Sequence, residues 1–135
     1  MSEELEEQRE ITGDLLARLA DPREAVRETA AEALAVSTED EDWRPDDLIL
    51  GEGIEIITGL LGERNMHIVR SALAIIIAIA NAGEEEALVS QGVIARLDRI
   101  QEHRDPGIRE KVREALWLLS PEVEEAVTSK PQDEY

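Results

Sequence analysis

The run Ile68-Val69-Arg70-Ser71-Ala72-Leu73-Ala74-Ile75-Ile76-Ile77-Ala78-Ile79-Ala80 decides how this chain is read, because it is the most apolar stretch of an otherwise acidic protein. Three consecutive isoleucines suit a strand by propensity. Alanines interleave with them, however, and the pattern recurs on both sides, so the run reads as a buried central helix. Glu, Ala, Leu, Arg and Ile supply most of the remaining residues, while strand-like alternation and Asn-Gly hairpin turns are missing. The expected fold class is all-α.

Outward from the run, Val69-Arg70 has counterparts in Val26-Arg27 and Ile108-Arg109, at spacings of 43 and 39 residues. Gly53 precedes Arg70, and Gly92 precedes Arg109, by the same 17 residues, which ties the last two copies into one register. Asp21-Pro22 and Asp105-Pro106 mark helix starts: Asp21 is placed to cap the next helix, with Pro22 at its first position and Glu24 at the capping-box position. Ala82-Gly83 reads as a helix C-cap. Thr38 to Asp47 is the most loop-like interior stretch, and its Trp43 is expected to fold back over the edge of the core. The organisation that follows is a frayed segment at 1–10, one repeat domain over 11–128, and a disordered tail at 129–135. The domain is expected to comprise units at about 11–37, 46–82 and 84–119 and a short C-terminal helix at 121–128.

At these residues the chain resembles the armadillo/HEAT superfamily, whose units repeat at roughly 40 to 47 residues. Glu84-Glu85-Glu86-Ala87-Leu88-Val89-Ser90-Gln91-Gly92-Val93-Ile94-Ala95-Arg96-Leu97 looks like an armadillo first helix, its glycine turn and the start of a second helix. Asp21-Pro22-Arg23-Glu24-Ala25-Val26-Arg27 looks like the start of a HEAT unit. The resemblance implies a right-handed α-α superhelix, an armadillo/HEAT-like solenoid in which stacked helix hairpins bury faces that none could bury alone. It says little about function, since the superfamily serves scaffolds, transport receptors and regulators alike.

Composition narrows the rest. Thirty-two acidic and fourteen basic residues give a formal charge of -18, which repels nucleic acid phosphates and anionic headgroups, so neither nucleic acid nor membrane is an expected partner. Lysine is scarce beside arginine. That balance resembles proteins of salt-loving archaea, and a solvated acidic surface encoded by a GC-rich genome is the other reading. There is no cysteine, no apolar run is long enough to span a bilayer, and the acidic N-terminus does not resemble a secretory signal. A cytoplasmic protein is expected.

Nothing converges as catalysis requires. The two histidines, His67 and His103, are isolated, and no His-Glu pair of the kind used by HEAT-type metal hydroxylases occurs. The clusters Glu39-Asp40-Glu41-Asp42 and Glu84-Glu85-Glu86 lack the spacing of a calcium loop. The expectation is no enzyme, no cofactor and no metal. Importin-alpha-like receptors read basic peptides with tryptophan and asparagine on successive third helices. Here the corresponding positions are Glu32 and Val36, Ile75 and Ile79, Glu114 and Leu118. That particular chemistry is not carried over, but these six residues imply an apolar strip edged with acid along the concave groove. The expected function is a protein-interaction module or scaffold. Its partner would be a protein or peptide with apolar residues flanked by basic ones, or a second copy in a homodimer. The strip open to a partner and the strip covered by the chain's own termini both fit the sequence. A structural subunit of a larger assembly is the alternative, with an enzyme or metal protein of unrecognised type behind it.

Overall fold

In a computed structural model that describes residues 2–50 and 52–119, without the side chains of 2–9 and 50, every regular element is helical. The helices are α1 (Ser2–Leu19), α2 (Glu24–Ser37), α3 (Asp46–Leu50), α4 (Gly53–Leu60), α5 (Met66–Asn81), α6 (Glu85–Ser90), α7 (Val93–Arg99) and α8 (Pro106–Leu119). α1 thus begins at Ser2, inside the segment expected to be frayed. Acidic residues in a first helical turn complement the positive end of the helix dipole, which favours this early start. The expected terminal helix at 121–128 and the tail at 129–135 lie outside the described residues.

The apolar run is α5, and it is the centre of the molecule. α2 packs along one side of it and α8 along the other, while α4 and α6 close its base. Because neighbours stand on several sides, the buried arc includes Ile68, Val69, Ala72, Leu73, Ile75, Ile76, Ile77, Ile79 and Ala80, well over half the circumference. Full burial of one such aliphatic side chain contributes about 1.5–3 kcal/mol. α2 and α8, with a helix neighbour on fewer sides, each bury a narrower stripe: Ala30, Ala31 and Leu34 in α2, and Ile108, Val112, Ala115 and Leu119 in α8. Leu116 of α8, by contrast, is only half-buried. Trp43 is half-buried against the core edge, as its place in an acidic loop led us to expect.

Helix ends show where the sequence signals act. α5 ends in a Schellman arrangement, with Gly83 N–H bonded to Ala80 O at 3.0 Å and Glu84 N–H to Ile79 O at 3.3 Å. Asp105 accepts the Ile108 N–H at 3.1 Å and so caps α8. Asp21 does not do the same for α2. Its Oδ1 accepts the Arg23 N–H at 2.8 Å in a local turn, and α2 starts later, at Glu24, with no side-chain cap. The Arg23 guanidinium, at 3.0 Å, holds the Asp21 carboxyl at about 2, below its ordinary value near 3.8. The strongest cap went unread in the sequence: Asn65 Oδ1 accepts the N–H groups of His67 and Ile68 at 2.9 and 3.3 Å and starts α5.

The paired glycines serve different ends. Gly92 takes φ +77° where the chain turns into α7, a conformation costly for other residues. Gly53 instead lets α4 approach α3, since a Cβ there would lie 2.9 Å from Leu48 O and 3.0 Å from Leu48 Cα. Those are backbone atoms and cannot swing away. Gly53→Ala is therefore expected to destabilise by about 1–3 kcal/mol, and urea unfolding followed by circular dichroism measures it.

Candidate protein-binding site

The repeated arginines build the junctions between helix groups. Arg27, held on α2, donates from Nη1 to Asp21 O and Pro22 O at 2.9 and 3.0 Å, which fixes the turn before its own helix. The rest of its guanidinium reaches across to Glu63 in the segment before α5, with Nε and Nη2 on the two carboxylate oxygens at 2.9 and 3.0 Å. This two-point pair to Glu63 raises the Arg27 pKa further. Asn65 joins the same junction from the other side, donating to Glu24 Oε2 at 2.7 Å and Glu28 Oε1 at 2.9 Å. Arg70 repeats the theme more loosely, 3.5 Å from Asp105. Arg109 donates to His103 O and Arg104 O at 2.8 and 3.2 Å, as Arg27 does to its own turn, but no carboxylate faces it among the described residues.

Between α2 and α5 these contacts leave a cleft of about 220 Å³ lined by Glu28, Glu32, His67, Arg70 and Ser71. Its floor continues along α5 through the half-exposed Ala74 and Ala78. Short side chains thus run between a helix edged with Glu28 and Glu32 and another edged with Glu110 and Glu114. A larger hollow of about 400 Å³ lies beside the junction itself, lined by Glu24, Gly59, Gly62, Glu63, Arg64 and Asn65. No group of three potential metal-ligating side chains occurs among the described residues. His67 is exposed beside the cleft, whereas His103 is half-buried and accepts the Asp105 N–H at Nδ1, 3.0 Å away. No described helix is long and apolar enough to cross a membrane.

The six residues expected to form an apolar strip do not act together. Glu32, Val36 and Glu114 are exposed and Leu118 is half-buried. Ile75 and Ile79 are 0 % exposed, so the centre of the strip is core rather than groove. The reason is rotational. On α5 the residues left half-exposed or exposed are His67, Arg70, Ser71, Ala74, Ala78 and Asn81, and Ile75 and Ile79 fall outside that arc, on turns covered by neighbouring helices. The groove residues that the strip reading missed, Glu28 and Ser71, carry a signal in the sequence: with Glu110 they occupy equivalent places at the same 43- and 39-residue spacings, on the face where α5 carries Ser71, Ala74 and Ala78.

Helix hairpins stacked side by side in this way define a helical-repeat solenoid. The fold is armadillo-like, all-helical among the described residues, with the right-handed α-α superhelical arrangement of that class. No family model matches the chain, and no curated protein does. Solved structures do. Two engineered proteins from the Northeast Structural Genomics Consortium superpose with TM-scores of 0.72 and 0.73 at 21% and 20% identity, covering 79% and 82% of this chain and 44% and 46% of theirs. A designed armadillo repeat protein in complex with the peptide (KR)4 superposes at 0.71 with 22% identity, over 81% of this chain and 46% of its own. The chain therefore spans less than half the length of the proteins it resembles.

Proposed function

We propose that the chain is a protein-interaction module whose α2–α5–α8 channel takes an extended partner segment, with basic side chains meeting its acidic edges and apolar ones lying on its floor. One observation carries this reading: α5 exposes short side chains, Ser71, Ala74 and Ala78, between helices that carry Glu28, Glu32, Glu110 and Glu114. A floor of small residues admits a peptide backbone closely, and rows of carboxylates favour arginine and lysine over acidic sequences. The armadillo protein bound to (KR)4 supports a channel of this kind as a place for basic peptides. Val36 and Leu118 offer apolar contact at the two sides of the channel, beside Glu32 and Glu114. Ile75 and Ile79 have no part in the site.

The test is fluorescence anisotropy with a labelled peptide of arginine and lysine flanking leucines. Glu32→Lys with Glu114→Lys should weaken binding by roughly 5- to 30-fold, as expected for two exposed charge contacts worth up to ~1 kcal/mol each. Glu39→Lys with Glu41→Lys, in the loop, changes the net charge equally and should leave affinity within about twofold once salt screens the general field. Equal losses in the two variants would reduce the interaction to bulk charge and defeat the proposal.

A further inference from the structure

Superposing the repeats in sequence exposes two unfinished ends. The residues of α5 that sit in turn at Ile68, Ala72, Ile75 and Ile79 are all 0 % exposed, yet their equivalents on α2, Ala25, Thr29, Glu32 and Val36, are all exposed, Val36 at 58 %. The first helix row thus presents to solvent the face that the second row buries. The opposite face shows the reverse progression. Leu34 of α2 and Ile77 of α5 are buried, but their equivalent Leu116 on α8 is only half-buried, and beside it Trp117 is 56 % exposed where the first two rows have Ala35 and Ala78.

The ends also differ in charge. Residues 2–50 hold sixteen acidic and five basic side chains, whereas residues 93–119 hold five acidic and six basic, including Arg109 and Arg113 on the uncovered face. Arg27 and Arg70 each meet a carboxylate of the next group, and Arg109 keeps the same backbone bonds with that outward partner missing among the described residues. The first group places Asp21 between the positions equivalent to Glu63 and Asp105.

We propose that the α8 end, centred on Arg109, Arg113 and Trp117, docks onto the α2 end of a second copy of this chain, centred on Val36, so that copies continue the stack head to tail. The contact reproduces packing already present twice within one copy. It places the tryptophan and an arginine against an apolar, acidic face, the complementarity a specific junction requires. Because the two surfaces are different, the association is heterologous and does not close at a dimer. The two surfaces share residues with the border of the proposed channel, Val36 and Glu32 at the α2 end and Arg113 and Trp117 at the places equivalent to Ala74 and Ala78, but the inference does not rest on what binds there.

The experiment is sedimentation velocity on the full chain from micromolar to millimolar concentration at moderate salt. The average mass should rise past that of two chains without a plateau. Trp117→Glu, which spoils one end, and Val36→Glu, which spoils the other, should each sediment as a monomer at every concentration. Mixed in equal amounts, the two should give a complex of two chains and nothing larger, since each retains one good end. Arg113→Glu serves as a second variant for the α8 end and should also pair with Val36→Glu. Both faces are solvent-exposed, so circular dichroism of the variants should match the parent chain. A parent chain that stays monomeric throughout overturns the proposal, whether the face is bare or held by residues 120–135. So does a dimer that either variant retains, or a mixture that fails to pair.

Discussion

Glutamate in place of both Ile75 and Ile79 should leave no folded protein at neutral pH and room temperature. Both isoleucines are 0 % exposed, one turn apart on the helix that α2, α4, α6 and α8 pack against. A carboxylate brought there loses its water and finds no basic partner, which costs several kcal/mol per ion even after relaxation. Two such costs, added to the lost apolar contacts, approach or exceed the whole stability of a domain of this size, about 5–15 kcal/mol. Far-ultraviolet circular dichroism at neutral pH decides the matter, with the helical signal expected to collapse. The matched control is Ala74→Glu with Ala78→Glu, on the half-exposed face of the same helix, which should keep the fold. If the isoleucine variant stays helical while the alanine variant unfolds, α5 is rotated from the orientation described here and the channel floor has been misplaced.

Leu73→Ala is expected to destabilise by roughly 2–5 kcal/mol, the range for truncating a fully enclosed leucine. Leu73 is 0 % exposed, and α5 is held between helices on either side, so the surroundings have little freedom to collapse into the space left behind. Val36→Ala, at an exposed position on α2, removes a comparable branched side chain and should change stability by less than about 0.5 kcal/mol. Urea unfolding of the two variants gives the comparison directly. Similar losses at both positions would mean that the α2 face is covered, and the head-to-tail junction would then have no free surface to use.

The sequence by itself determined the helical class, the central place of α5 and the repeat. Those follow from quantities that one chain carries locally: helix-forming composition, the apolar density of Ile68 to Ala80, and the return of a hydrophobic residue before arginine at Val26, Val69 and Ile108. What those arginines do was not legible, because Arg27 meets Glu63 across 36 residues and only the packed junction brings them together. The two Asp-Pro pairs look alike in sequence, yet Asp105 caps a helix while Asp21 turns onto Arg23; the difference lies in where each helix begins. The channel depended on tertiary structure most of all. Ile75 and Ile79 are apolar in either reading, and a hydrophobic residue on a helix becomes groove or core according to whether a neighbouring helix stands over it. α2 and α8 stand beside α5 on both sides, and that flanking turns its isoleucines inward and leaves Ser71, Ala74 and Ala78 to face outward.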